Sequence, residues 1–517
     1  MSQHAATAAW AQPLSPTFDL FMVGVIGALQ TASFVNTDTW WLQLLSVGFL
    51  VWRVSVATPR RAAGLGLLFG TAWICAGTWW LFISMHRYGG LPVWMAALAV
   101  LALGLALSTY LAVAMAAYAR WRTGRPLRDA LLFAALWLLA ELARGVIFTG
   151  FPWVASGYAH VDSPLAKLAP WVGVYGIGAI GAFLVAWVAE ARPVIGPRRL
   201  VMIAALWGAL GLIHNYTEPY AFTRPTGTLK VTLLQGNIPQ EEKFAGEHQA
   251  SALGWHLTQL LQAKGDLVIA PETAVPFLPE QMPEGFLEGL QRRFSAKTHA
   301  LFGVPLGDER SGYTNSALGF APGREAYRYD KVHLVPFGEF IPTGFRWFTR
   351  MMNIPLGDFD RGTLEAPSFL VRGERVAPNI CYEDLFGEEL AARFRHPSSA
   401  PTIFANISNI GWFGDTIAVE QHLNISRMRS LEFQRPMLRA TNTGATVIID
   451  HRGHVVQGLK PYTRDVLRGQ VQGREGLTPF AWWTSRYGLW PLGLIAALAL
   501  LAPRVPAWWR RLRRTPT

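Results

Sequence analysis

The stretch Ala377–Phe386 reads APNICYEDLF and holds one of only two cysteines in 517 residues, with Glu383 and Asp384 second and third after the thiol. Two other polar residues stand where short apolar runs end: Glu272 in LVIAPETAVP and Lys331 in YRYDKVHLVPFGEFIP. A free thiol has a pKa near ~8.5 and attacks well only as the thiolate. A carboxylate beside it can take the proton as general base. A lysine offers fixed positive charge to a tetrahedral oxyanion, and losing such a donor costs about 10²–10³ in rate. Cys381, Glu272 and Lys331 thus make a complete acyl-transfer set that needs no metal and no cofactor. Taken singly, each has an ordinary reading. Cys381 suits a small buried hydrophobe, Glu272 a solvated turn, and Lys331 a surface cation paired with Asp330 or Glu339.

The elements that would position them are short β-type runs ending in turn signals: 229–234, 267–270, 300–304, 402–405 and 445–449. Helical patterns at 246–263 and 416–433 lie between some of them. Strands alternating with helices predict an α/β domain with buried sheets, whose strand ends are where catalysts gather. No internal repeat is visible in the sequence.

The rest of the chain points to a membrane. Charged residues are 15% and the chain carries 22 Trp and 29 Phe, against ~25% charge in a typical soluble domain. The net charge of +12 does not indicate nucleic acid, because the arginines cluster in short loops and a tail without a binding motif. A span needs about 20 apolar residues, and about eight candidates meet this: 20–37, 40–58, 62–85, 88–119, 130–149, 168–189, 200–213 and 487–503. Basic residues gather at Arg60 and Arg61, at Arg120 to Arg128, at Arg192 to Arg199 and in the tail from Arg504. The alternate loops are nearly free of them, so these clusters and the C-terminus are expected inside and the segment between the last two spans outside. The expected domains are 1–217 (membrane), 218–480 (outer, catalytic) and 481–517 (last span and basic tail). The N-terminus has no basic region of a cleaved leader. Cys75 lies in an uncharged apolar run, so no bridge to Cys381 is expected.

In order, APETAVP, YDKVHLVPFGEFIP and NICYEDLF resemble the carbon–nitrogen hydrolase (nitrilase) superfamily. With spans on both sides, and with VTLLQGNIPQ, TGFPWVASGY and NISNIGWFGDT, the chain is similar to the bacterial apolipoprotein N-acyltransferase family over nearly all its length. That resemblance implies a polytopic α-helical membrane domain joined to an αββα sandwich. It implies Glu272 as general base, Lys331 as oxyanion stabiliser and Cys381 as nucleophile, with Glu339 and Glu383 as accessory carboxylates. Tyr382 and Trp412 match residues lining the site. Phe244 stands where the family often has Trp, and Ile410-Gly411 where Asp and a small residue are usual. The implied reaction is ping-pong. Cys381 takes an acyl chain from the sn-1 ester of a phospholipid donor, and the α-amine of a diacylglyceryl apolipoprotein acceptor then takes it from the thioester. The implied setting is the inner membrane, with a periplasmic catalytic domain, acting as a monomer.

Other segments stay open. Residues 343–359, with Trp347, suit either an interfacial arm gating lipid entry or a packed connecting loop. Glu141 and Arg144 share a helix face at i, i+3 spacing and read as packing glue or, with Trp153, as a lipid-phosphate contact. His422 reads as structural, and no metal-ligand spacing occurs. The rival functions are a membrane-tethered amidase with a soluble substrate and a lipid transporter with a binding-only outer domain.

Overall fold

A computed structural model of the chain describes residues 16–190, 201, 204–205, 208–209, 211–212, 220–240, 246–294, 298–342 and 358–501. The chain forms two compact units, one from Met1–Trp79, Ala97–Tyr220 and Leu489–Thr517, the other from Trp80–Ala96 and Ala221–Gly488.

In the first unit the described apolar stretches are mostly helical, the conformation that satisfies its own backbone without water. They include α1 (Pro16–Leu29), α2 (Trp40–Val54), α3 (Pro59–Thr78), α4 (Val93–Trp121, its first turn counted with the second unit), α5 (Pro126–Val146) and α6 (Ala169–Glu190). Proline opens α3 and α5 at positions where its missing N–H costs nothing, and the Thr58 hydroxyl accepts from Arg61 N at 3.4 Å. The buried Asp19 carboxylate pairs with Arg53 at 2.6 Å and Arg61 at 2.5 Å, as a buried charge requires.

Among the described residues, four helical stretches are long and apolar enough to cross a bilayer, and up to six if two bent pairs each count as one span. The expected count of about eight stays approximate, and the described residues bear on individual candidates. The second candidate is α2, whose 15 residues reach about 22 Å, short of the ~30 Å hydrocarbon core. The third, 62–85, is divided: α3 ends at Thr78, and Leu81–Tyr88, which includes a π-helical turn at Ser84–Tyr88, is counted with the second unit. The last, 487–503, is helical over Trp490–Leu501, 12 residues. The seventh, 200–213, lies largely outside the described residues.

The second unit is built on β1 (Thr223–Gln235), β2 (Leu267–Ile269), β3 (His299–Asp308), β4 (Gly312–Phe320), β5 (Tyr327–Asp330), β6 (Phe369–Val371), β7 (Glu374–Ile380), β8 (Ile403–Ser408), β9 (Met437–Thr441), β10 (Val447–Ile449), β11 (Val455–Gly458) and β12 (Asp465–Gly476). They form two six-stranded sheets, β12-β1-β2-β3-β4-β5 and β6-β7-β8-β9-β10-β11. Each sheet, read in that order, pairs antiparallel, parallel, parallel, antiparallel, antiparallel. The repeat that the sequence hides is therefore present in the pairing.

Alternation along the strands builds the layers. Leu229, Val231 and Leu233 of β1 meet Val376, Ile380, Ile403 and Ile407 of the other sheet in a shared core. The opposite faces are covered by helices. Leu234 and Val268 pack with Leu260 of α7 (Gly246–Gln262). Phe404 and Met437 pack with Val419 and Phe433 of α8 (Ala418–Phe433). This is the αββα sandwich implied by the resemblance. Trp80–Ala96 belongs to the same unit: Trp80 Nε1 donates to Gln421 Oε1 at 3.1 Å, and its ring lies 4.3 Å from that of Phe413.

One glycine fixes the β2 exit. Gly303 N donates to Pro271 O, and Val275 N donates to Gly303 O, each at 3.1 Å. A Cβ on Gly303 would lie 2.6 Å from Glu272 Cα and 2.5 Å from Thr273 N. Gly303→Ala must therefore push the Glu272 turn outward. The expected cost is about 1–3 kcal/mol, measured as a lowered unfolding temperature, and an unchanged temperature contradicts this.

Candidate active site

Each expected catalytic side chain leaves a strand end. Glu272 lies in the turn after β2, Lys331 directly follows β5 and Cys381 directly follows β7. Cys381 has φ +52° and Thr273 φ +48°, a region costly for residues other than glycine and often used at functional elbows. Asn237, at the end of β1 in the sheet position equivalent to β7, has φ +44°.

Lys331 is 1% exposed. Its Nζ lies 2.9 Å from the Glu339 carboxylate and 3.5 Å from Glu272 Oε1. Asn315, on β4, donates Nδ2 to Glu272 Oε1 and to Glu339 Oε1, both at 2.7 Å. Glu272 Oε2 accepts from Asn409 N at 2.9 Å, and Glu339 Oε2 from Val335 N at 2.8 Å. Burial alone would lower the lysine's pKa, but the Glu339 and then the Glu272 carboxylates outweigh it and hold Lys331 protonated well above its ordinary value.

The Cys381 residue is half-buried and not in a disulfide. Desolvation of its thiol, and then the Glu272 charge, push its pKa up to about 12, against the opposing pull of Lys331 and the Ser408 hydroxyl. Two carboxylates face one ammonium here, so a thiolate would add negative charge to a site already carrying an excess. The thiol therefore rests protonated.

Glu383 has a different position from Glu339. Its Oε1 accepts from Val332 N at 2.6 Å and Tyr329 Oη at 2.8 Å, and its Oε2 from Ile380 N at 2.6 Å. It ties the Lys331 segment to the cysteine elbow, and burial raises its pKa. Tyr382 is buried, with its ring 5.6 Å from His333 and 5.3 Å from Phe386. Trp412 is partly buried, edge-on to Tyr88 at 5.4 Å. Phe244 and Trp347, with 343–357 of the expected arm, lie outside the described residues. Arg144 and Trp153 are buried in the helical unit. There Arg144 reaches Glu141 at 3.4 Å and Phe151 O at 3.2 Å, and Glu141 accepts from Ser156 N at 2.7 Å. Among the described residues no group of three or more His, Cys, Asp or Glu could hold a metal ion.

The sequence reading missed Asn315, the shared donor that holds Glu272 and Glu339 side by side. It also missed the ladder behind Asn409, whose Nδ2 donates to Gln240 Oε1 at 2.8 Å and whose Oδ1 accepts from Asn442 at 3.1 Å. No signal in the sequence sets Asn315 apart, because it stands between Thr314 and Ser316 in the polar half of β4.

A family model described as apolipoprotein N-acyltransferase N-terminal domain matches residues 26–187, and one described as carbon-nitrogen hydrolase matches 230–479. A protein named apolipoprotein N-acyltransferase from Verminephrobacter eiseniae is 52% identical over 495 residues, covering 90% of this chain and 92% of that protein. One of the same name from Ralstonia nicotianae is 46% identical over 494 residues, covering 93% of each. A carbon-nitrogen hydrolase crystal structure from Helicobacter pylori aligns at 17% identity and TM-score 0.34, over 51% of this chain and 94% of that one.

The charge pattern fixes an order of reactivity. Glu272→Gln removes a charge that raises the thiol pKa, and Lys331→Met removes one that lowers it. At equal pH, iodoacetamide is expected to alkylate Cys381 faster in the first variant than in the second. The gap should be at least about tenfold, corresponding to one pKa unit or more, as read by peptide mass spectrometry. The reverse order contradicts the assignment.

Proposed function

The chain belongs to the apolipoprotein N-acyltransferase family, and on that premise we propose that Cys381 carries a fatty acyl chain from a phospholipid to the N-terminal amine of a diacylglyceryl apolipoprotein. The observation that carries this reading is the buried Lys331 ammonium held against the Glu272 and Glu339 carboxylates, within electrostatic reach of the Cys381 thiol.

In the first half-reaction Sγ attacks the sn-1 ester carbonyl while Glu272 takes the thiol proton. The oxyanion forms beside Lys331, aided by the Tyr382 backbone N–H. On collapse the C–O bond to glycerol breaks, and the proton on Glu272 passes to the departing alkoxide, leaving lysophospholipid and a thioester. In the second half the acceptor's neutral α-amine attacks the thioester carbonyl and Glu272 takes its proton. The C–S bond breaks, an amide forms, and the proton returns to sulfur. Lys331 remains an ammonium throughout. Glu339 acts by holding Lys331, and Glu383 by holding the elbow.

Apolar helices in the same chain suit this chemistry, because each CH₂ moved from bilayer to water costs about 0.8 kcal/mol. A catalyst anchored to the bilayer avoids that transfer. An acyl-thioester kept from water favours the amine over hydrolysis. The alternation of basic loops supports an inner-membrane enzyme with its catalytic unit periplasmic and its C-terminus cytoplasmic.

The test supplies phospholipid labelled in its sn-1 chain together with a diacylglyceryl lipopeptide to the full chain in lipid. Label is expected in an amide on the lipopeptide, with transfer lost on Cys381→Ala. Turnover of small soluble amides without lipid transfer would favour the amidase instead and overturn the proposal.

A further inference from the structure

Directly behind the nucleophile lies a polar cluster that the proposed chemistry does not use. Asp384, His422, Ser426 and Arg439 are all 0% exposed. His422 Nε2 lies 3.2 Å from Cys381 O and 3.0 Å from Asp384 Oδ1. On the other edge of the ring, Arg439 Nη2 lies 3.2 Å from His422 Nδ1. Arg439 Nη1 also donates to Asp384 Oδ2 at 3.2 Å and to His422 O at 3.1 Å, and Ser426 Oγ bonds both Asp384 Oδ2 and Arg439 Nη1.

These contacts settle the tautomer. A guanidinium only donates, so Nδ1 must accept and the ring proton sits on Nε2. Nε2–H then points at both the Cys381 carbonyl and Asp384. A second donor, Asn406 Nδ2, reaches the same carbonyl at 3.3 Å. The Cys381 carbonyl and the Tyr382 N–H belong to one planar trans peptide, in which C=O and N–H point in opposite directions. Holding the carbonyl back therefore aims the N–H forward, at a residue whose φ of +52° is not one the chain would adopt unaided.

We propose that His422, its tautomer fixed by Arg439, is a positioning residue: it holds the Cys381–Tyr382 peptide so that the Tyr382 N–H faces the developing oxyanion. This rests on the acyl-transfer reading and adds to it a reason for a buried histidine that never meets substrate.

The test compares two reactions of the same sulfur in the full chain. Acylation forms an oxyanion, whereas alkylation by iodoacetamide does not. In His422→Leu, Cys381 acylation is expected to fall about 10²-fold, the typical cost of misplaced catalytic geometry, at unchanged KM. Alkylation should change by less than about threefold, since the thiolate it needs is untouched. His422→Gln keeps a donor near the Nε2 position, and its acylation is expected to stay within about tenfold of the unsubstituted chain. Parallel loss of both reactions in His422→Leu, or acylation at the unsubstituted rate, would overturn the proposal. Should His422→Leu fail to fold, a folded His422→Gln protein that loses acylation about 10²-fold would overturn it as well. Acylation is read with phospholipid vesicles and with a short p-nitrophenyl ester. If the ester acylates Cys381 and phospholipid does not, the donor assignment fails, while the ester still decides the role of His422.

Discussion

A lysine ammonium taken out of water costs several kcal/mol unless its charge is met in place, and Lys331 is almost wholly buried. The rest of the site follows from meeting that charge. Glu339 reaches it closely and Glu272 at slightly longer range, and Asn315 keeps the two carboxylates side by side by donating to each. Burial of the thiol, and then the negative charge of Glu272, make a resting thiolate unfavourable and push Cys381 up. Holding the Lys331 ammonium in place and keeping the Cys381 thiol protonated thus belong to one electrostatic arrangement.

The sandwich meets this requirement by converging strand ends. Glu272 comes from one sheet and Cys381 from the other, and the two sheets repeat the same pairing order. Left-handed backbone occurs just after β1 at Asn237 and just after β7 at Cys381, so the elbow belongs to the repeated sheet architecture. Glu383 and the His422 cluster hold that elbow from two directions, by way of the Ile380 N–H and the Cys381 carbonyl.

Much of this was legible in the sequence. The Leu267–Ile269 and Ile403–Ser408 strands stand out as apolar runs, and helix α8 falls nearly where its pattern predicts. A strand end at RVAPNI before Cys381 was legible, but the extent of β7 was not, because Pro378 interrupts it and proline argues against a central strand. Asn315 was hidden because an amide in a strand signals nothing until its partners across the sheet are known. Trp80–Ala96 looked like parts of two spans, since lack of charge marks burial without saying against what. In the structure its aromatic residues pack on the Gly411–Phe413 turn. Hydropathy likewise counts apolar residues without registering where a helix ends, as α3 does at Thr78.

The central claim is that one sulfur holds the chain in transit. Incubating the full protein in lipid with labelled phospholipid and no acceptor, then mapping peptides by mass spectrometry, tests it most directly. The account predicts an acyl group on the peptide carrying Cys381, released by neutral hydroxylamine and by a diacylglyceryl lipopeptide. An acyl group found on another residue, or transfer that proceeds with Cys381 never acylated, would contradict it.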